Sequence, residues 1–466
     1  MNNLNMSNMI RAGVPLCLVE TLEIKRAVST ITADFPILKW NAISGMDNGE
    51  CNDKKQDPVF QLMEYAKTLK QSIIVAENLN WFWKQETVQQ IILNTYQVLK
   101  NRQVLLCCVC TDSELPDTLK KIFHHIDYSL PSLSAFQGMI KSFEQYGLPI
   151  ENDIAASCLG LGYEETENSL ALQAIQNKEI TRNGVLSARK TLIEKTGFLK
   201  ICSDFESMDE IGGLNEAKRF LSARMKAFLP ENSHMPRLRS ILLVGVPGSG
   251  KTLFAKALSG IMQADLLIAD CGAMKGGLVG ETEKKTRLFT KTVDSIGKCV
   301  VLLDEIEKAL SMGQGDSGTS KGQVGHLLSW FNDRVSDSVI VATSNDLSSL
   351  PPEFLRPGRF DAIFFVGYPT LEERKTIIEI MNKKHHSSVS LDVSEKTEYF
   401  TGAELEQLCK DSHFEEIDTI ISNMPTMWKT RKEDIKLVLE KAKCYRNASS
   451  PEQVSGERKV SFCDSF

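Results

Sequence analysis

The sequence predicts an α/β chain: a parallel sheet covered by helices on both faces, a small all-helical lid after it, and a fainter α/β region before it. Three observations carry this reading. From about residue 205, the β-branched runs SILLVGV, DLLIAD, CVVLLDE, SVIVATSN and AIFFVGYP are separated by segments of helical period, the pattern of parallel strands joined by crossover helices. After Pro369 such runs stop, and LEERKTIIEIMNKK, TGAELEQLCKDSHFEEI and KEDIKLVLEKAK keep helical periodicity. The first 200 residues repeat the plan more faintly, with strand candidates PLCLVETL, ILKWNAI, SIIVAENL, VLLCCVC and IDYSLP followed by a helical stretch.

The expected division is an α/β domain over 1–135, a helical segment and linker over 136–204, a large α/β domain over 205–370, a helical lid over 371–445, and a flexible tail over 446–466. A length of 466 residues suits about three domains of roughly 150 residues. With 54 Lys and Arg against 60 Asp and Glu, the net charge is −6, which gives no global electrostatic reason to seek nucleic acid or acidic membranes. No run approaches the roughly 18 apolar residues of a membrane span. The Asn-rich start lacks the layout of a secretion signal. A cytoplasmic setting follows, with a plastid stroma or a phage-infected host's cytoplasm equally compatible. The 12 cysteines show no metal spacing; Cys107, Cys108 and Cys110 read as core thiols of a buried strand. The pairs His124-His125 and His385-His386 are sequence neighbours that point apart, so no transition-metal site is expected.

One comparison points to an internal repeat. Pro131 is followed by Leu133, Met139 and Ile140, and Pro369 at the same offsets by Leu371, Ile377 and Ile378; a helix-opening glycine comes next in each, Gly162 and Gly402. Two copies of one architecture, or two unrelated α/β domains, would both accommodate this.

The strongest chemical signal is Gly245-Val246-Pro247-Gly248-Ser249-Gly250-Lys251-Thr252, set between the apolar run SILLV and the helical run LFAKALSGIM. Glycines let backbone N–H groups close around a phosphate chain, and a helix N-terminus adds positive potential. Lys251 would reach the β- and γ-phosphates and Thr252 would ligate Mg²⁺. The run Val300-Val301-Leu302-Leu303 then delivers Asp304 and Glu305 to a strand end. Asp304 would hold the magnesium through its water shell, and Glu305 would polarise the attacking water.

With these motifs in order, the chain resembles the AAA ATPases: a P-loop NTPase with parallel sheet and helical lid, preceded here by a degenerate α/β ATPase-like domain. FESMDEIGGL resembles the family's entry motif, which implies that Ile211 and Gly212 lie against adenine. SVIVATSN resembles the sensor strand, placing Asn345 near the γ-phosphate, and LPPEFLRPGRFD resembles the second region of homology, whose arginines, Arg356 and Arg359, would act on a neighbouring subunit's ATP. TGAELEQLC resembles the lid helix at which Gly402 and Ala403 pack on base and ribose, and Leu253 would follow the phosphate loop at the same site. The resemblance implies ATP and Mg²⁺ as ligands, ATP hydrolysis, and self-association into a ring, a hexamer.

Within that family the segments DCGAMKGGLVGETEKKTRLF, GQGDSGTSKGQVGHLLSWF and FVGYPTLEER look like a group from plastids, cyanobacteria and other bacteria that carries a degenerate ATPase-like domain in front. The first 200 residues hold no Gly-Lys-Ser/Thr loop, and Ala76-Glu77 stand where the second copy has Asp304-Glu305. The first domain is therefore expected not to bind Mg-ATP tightly and to serve assembly or partner binding. Unfoldases of the family place an aromatic residue in the first pore loop, where this chain has Leu278 beside Val279. Leu278 fits an apolar pore contact or a helix-packing residue equally. The segment 313–325 matches either the second pore loop or a flexible connector. Remodelling of a protein substrate is the preferred activity; a nucleotide-dependent scaffold and a nucleic-acid-associated ATPase are the rivals.

Overall fold

A computed structural model describes residues 4–111, 115–202, 206–232, 234–274, 281–310, 319–334, 336–345, 350–356, 358–433, 435 and 445–449, with backbone alone at 127, 230 and 319–324. The chain divides into two compact units, Met1–Leu192 and Ile193–Phe466.

In the first unit, β1 (Leu4–Asn5) and β3 (Ile31–Thr32) form a short parallel pair. The main sheet contains β2 (Leu16–Glu20), β4 (Ile37–Asn41), β5 (Gly45–Met46), β6 (Ser72–Glu77), β7 (Val104–Cys110) and β8 (His124–Asp127), in the order β5-β4-β6-β7-β2-β8. Every neighbouring pair is parallel except β4 with β5. Flanked by β6 and β2, the strand β7 is buried along its whole length, which is why VLLCCVC shows no polar alternation. Its thiols divide between the faces: Cys107 packs with Cys17 and Val19, and Cys108 and Cys110 with Leu16 and Leu62. Helices Leu133–Glu144, Tyr163–Asn177 and Arg182–Glu194 follow.

The second unit contains β9 (Leu199–Cys202), β10 (Ser240–Gly245), β11 (Leu266–Asp270), β12 (Val300–Asp304), β13 (Val339–Ser344), β14 (Ala362–Val366) and β15 (Arg446–Asn447), in the order β15-β14-β10-β13-β12-β11-β9. The helix Lys251–Met262 buries Phe254, Ala255 and Leu258 against Ile241, Leu243, Leu302 and Val341 of the sheet. In the lid, the helices Leu371–His385 and Gly402–Asp411 each open on a capping box, Thr370 with Glu373 and Thr401 with Glu404. Ile377, Ile378, Leu405 and Leu408 fill the core between them.

Set aside the edge strands, and both units show five parallel strands in one order. Numbered by appearance within each unit it is 5-1-4-3-2: β8-β2-β7-β6-β4 in the first and β14-β10-β13-β12-β11 in the second. Duplication of one architecture requires this identity of order, which the alternative of unrelated domains does not.

Two features differ from the sequence reading. Strand β9 precedes residue 205 and joins the second sheet antiparallel to β11. Strands also do not stop at Pro369, because β15 pairs in parallel with β14, Phe364 opposite Arg446 and Phe365 opposite Asn447. The start of the expected tail is thus held in place. The Ala448 carbonyl accepts the Glu216 and Ala217 N–H groups at 2.9 and 3.2 Å, capping the helix Asn215–Met225, and the Arg446 guanidinium lies 5.6 Å from the Phe220 ring centre and 5.5 Å from that of Phe364. A polar two-residue strand has no periodicity to detect. Leu278 and Val279, residues 311–318, most of KEDIKLVLEKAK and the tail from 450 lie outside the described residues.

Candidate functional site

The site is built on the C-terminal ends of β10, β12 and β13, where a parallel α/β sheet gathers its loops. After β10 the chain turns through Val246–Gly250 and enters the helix Lys251–Met262. Gly248 has φ +77°, and a Cβ there would stand 3.2 Å from both the Ala403 Cβ and the Thr401 Oγ1. Its carbonyl accepts the Ala403 N–H at 3.1 Å, so this glycine both makes the turn and lets the loop meet the lid helix.

Lys251 is 7% exposed. Its ammonium donates to the carbonyls of Gly245 at 2.9 Å and Val246 at 3.0 Å, and to Asn345 Oδ1 at 3.0 Å. Burial pushes its pKa down to about 8 against the opposing charges of Asp304, Glu307 and Glu305. Asn345 in turn donates Nδ2–H to Glu305 Oε1 at 3.0 Å, while its backbone N–H goes to Glu307 Oε1 at 3.1 Å. Thr343 closes the group, its hydroxyl donating to Asp304 Oδ1 at 2.5 Å and accepting the Glu305 N–H at 2.9 Å. Glu305 sits at φ +51°, a left-handed conformation costing a non-glycine residue about 1–2 kcal/mol; its second carboxylate oxygen pairs with Lys308.

These residues open on a cavity of about 870 Å³, lined at one end by Pro247–Leu253, Asp304, Glu305 and Asn345, and at the other by Ile211, Gly212, Leu214, Ile377, Ile380, Met381, Gly402 and Ala403. The size falls within that of small-molecule sites, roughly 300–1,000 Å³. One end brings Lys251 and the loop backbone beside the carboxylates of Asp304 and Glu305, and the other sets apolar side chains among charged ones, Glu206, Glu210, Lys384 and Glu406, a division that suits a nucleoside triphosphate. Among the described residues no group of three or more His, Cys, Asp or Glu side chains is disposed to hold a metal alone. A hard cation held by Thr252, one carboxylate and phosphate oxygens does not need such a group. The carboxylates that face the cavity are those of Asp304 and Glu305, and with Thr252 they suit a hydrated cation.

Of the residues singled out in sequence, Gly245 and Val246 lie behind the cavity wall and offer their carbonyls to Lys251, and Pro247 through Leu253, Asp304, Glu305, Asn345, Ile211, Gly212, Gly402 and Ala403 line the cavity. Arg356 and Arg359 do not line it. Arg356 is exposed, and Arg359 donates Nη1–H to the Leu328 carbonyl at 2.7 Å. Sequence reasoning missed Thr343, Glu307, Lys308, Glu373, Glu406 and Ser449. Thr343 stands two places before Asn345, a weak signal; Ser449 belongs to the unexpected edge beside β15 and lines the cavity.

The corresponding place in the first unit is built differently. Only Thr21, Leu22 and Glu23 separate β2 from the helix Ile24–Thr30, with no glycine among them. The Glu23 carboxylate is buried, accepts the Tyr163 backbone N–H at the start of the helix Tyr163–Asn177, and pairs with Arg26. Burial raises its pKa, opposed by the Tyr163 N–H and by Arg26. The lid-helix start that meets a phosphate loop in the second unit meets a carboxylate here.

Five parallel strands in this order, with a glycine loop after the first and an acidic pair ending the third, make the second unit a P-loop NTPase module. Residues 241–368 match the ATPase family associated with various cellular activities (AAA), and residues 3–128 match the SpoVK-like AAA ATPase N-terminal domain. An uncharacterized AAA domain-containing protein ycf46 of Guillardia theta is 30% identical over 430 residues, 86% of this chain and 84% of that protein. Its namesake from Trieres chinensis is 28% identical over 88% of both chains. A cell division cycle protein 48 homolog of Archaeoglobus fulgidus is 29% identical over 256 residues, 52% of this chain and 34% of its own length. The chain belongs to the AAA family of ATPases.

Proposed function

We propose that the second unit binds ATP with Mg²⁺ and hydrolyses it, and that the chain works as a ring, a hexamer, in which hydrolysis moves the lid and remodels a protein substrate. The observation that carries this reading is the continuous network from Lys251 through Asn345 to Glu305, joined to Asp304 by Thr343. It links the cation for the β- and γ-phosphates to the carboxylate for water. Lys251 and the loop N–H groups hold the phosphates, Thr252 and Asp304 hold Mg²⁺, Glu305 orients and polarises water, and Asn345 fixes Glu305 relative to Lys251. Bound Mg²⁺ would neutralise charge on the β- and γ-phosphate oxygens. Ile211, Gly212, Leu253, Gly402 and Ala403 enclose the base and ribose.

The ring reading is supported by Arg356 and Arg359, which do not line their own chain's cavity and suit a neighbour's. A guanidinium is an always-protonated fork for charge developing on the transferred phosphoryl group. The first unit is proposed to bind no Mg-ATP, since Glu23 stands where a phosphate would need N–H donors, and to serve assembly or capture of a protein partner. No described helix is long and apolar enough to cross a membrane. The ten described cysteines are free thiols, suiting a reducing compartment such as cytoplasm or plastid stroma.

Titration of a fluorescent ATP analogue into the wild type and Lys251→Ala tests the reading. Saturable Mg²⁺-dependent binding that Lys251→Ala abolishes is expected; equal affinity in both would overturn it. Under the scaffold reading Glu305→Gln should leave partner binding intact or stronger, and a variant that binds ATP yet loses every partner in a pull-down would sink that reading.

A further inference from the structure

The apolar end of the cavity has two walls from distant parts of the chain, the segment Ile211–Leu214 and the lid helix Leu371–His385. Glu373 joins them. It is 5% exposed, and its two carboxylate oxygens do different work. Oε2 accepts the Thr370 N–H at 2.9 Å, half of the helix's capping box. Oε1 crosses to the other wall and accepts the Leu214 N–H at 3.0 Å, a bond spanning 159 residues of sequence that the capping box does not need.

The walls touch closely at this point. A Cβ on Gly213 would stand 2.6 Å from Glu373 Oε1, and one on Gly212 would stand 2.4 Å from Ile377 Cγ1 and 2.9 Å from its Cα. At the other end of the segment, Lys218 donates Nζ–H to the Ile211 carbonyl at 2.5 Å. Burying a carboxylate is costly unless its acceptors are used. Here both are, and the second use is spent on the base wall.

We infer that Glu373 is a positioning residue for the base: by fastening the Leu214 amide to the lid helix it makes the two walls of the base slot one body, so that affinity for the nucleoside part of the ligand depends on it and affinity for the phosphates does not. This rests on the nucleotide reading above. Rotation of the lid would carry the Ile211–Leu214 segment with it, so the slot would move as a unit relative to the phosphate loop.

The test is calorimetric titration of the full-length wild type, Glu373→Ala and Glu373→Gln with ATP and, separately, inorganic tripolyphosphate, both with Mg²⁺. Glu373→Ala removes both hydrogen bonds, and loss of the one from Leu214 is expected to weaken ATP by about ten-fold, while tripolyphosphate changes less than about two-fold. Glu373→Gln keeps shape and one acceptor, and is expected to weaken ATP by roughly three-fold; it carries the test if the alanine variant has no cooperative melting transition. An unchanged ATP-to-tripolyphosphate ratio in a folded variant, or equal loss for both ligands, would overturn the inference. A wild type that binds both equally overturns it while sparing the phosphate site. A wild type that binds neither overturns the nucleotide reading, and this inference with it.

Discussion

Lys251 and Asn345, 94 residues apart in sequence, share a hydrogen bond of 3.0 Å from Nζ to Oδ1. The amide that accepts from the lysine donates to Glu305 through its other end, so one planar group sets the distance between the cation proposed to bind phosphate and the carboxylate proposed to direct water. An ammonium has three protons, and Lys251 uses them on Gly245, Val246 and Asn345. A phosphate oxygen arriving at Nζ therefore exchanges with one of these acceptors. If that acceptor is Asn345, the amide is released toward the phosphate and Glu305 moves with it.

Asn345→Ala should separate binding from chemistry. Lys251 keeps both loop carbonyls, so ATP affinity should change by less than about three-fold. Glu305 loses its orienting donor, and turnover should fall by roughly 10²-fold, the scale of positioned general-base effects. Equilibrium binding and single-turnover hydrolysis on the same preparation check both halves.

Arg359→Ala should bind ATP nearly as the wild type and hydrolyse it poorly. Mixing it with Lys251→Ala chains, which keep Arg359 but bind no nucleotide, should restore part of the rate, because the arginine and the phosphate loop then come from different chains. The cleanest readout is turnover against mixing ratio. Full turnover by Arg359→Ala alone would show that its bond to the Leu328 carbonyl is the whole of its role.

In the first unit, Glu23→Ala removes the acceptor of the Tyr163 N–H and should cost about 1–3 kcal/mol locally. Amides at the start of the helix Tyr163–Asn177 should exchange with deuterium faster. Nucleotide binding should not appear in that unit, since Thr21-Leu22-Glu23 has no glycine turn to wrap a phosphate; a Glu23→Ala, Lys251→Ala double variant that binds ATP would show otherwise.

Glu406, on the cavity's lid side, gives a pH dependence. Burial raises its pKa, but hydrogen bonds from Lys410 and His385 and the charge of Lys384 outweigh this and hold it down at about 2, against an ordinary 4.5. A depressed carboxylate contributes stability above its unfolded pKa and loses it as pH falls through the folded value. The advantage of the wild type over Glu406→Gln should thus be full at pH 7, shrink below pH 4.5 and vanish near pH 2. Solvent screening limits it to under about 1 kcal/mol. Urea unfolding of both proteins at pH 7, 5 and 3 checks the sign.

The phosphate loop, the acidic strand end and the alternation around them were legible because each is a local pattern. The glycines and lysine lie in one short run, and strands β10, β12 and β13 are almost wholly buried, hence mostly apolar. What escaped depends on distant partners or on segments too short to have a period. Glu373 reads as an ordinary capping-box residue until its second oxygen meets Leu214. Arg446–Asn447 is two polar residues that become a strand because β14 offers an edge. Glu23 stands before a helix, where an acidic residue is favourable anyway, so nothing local marks it as the residue meeting Tyr163.

Hydrolysis at a site shared between subunits is read out by ATP turnover per chain as a function of protein concentration, with Glu305→Gln as the blank. The rate per chain should climb from near zero to a plateau as chains associate, while the blank binds ATP but stays flat. Turnover no greater than the blank at every concentration would contradict hydrolysis, and a constant rate down to dilutions where sizing shows single chains would contradict a site shared between subunits.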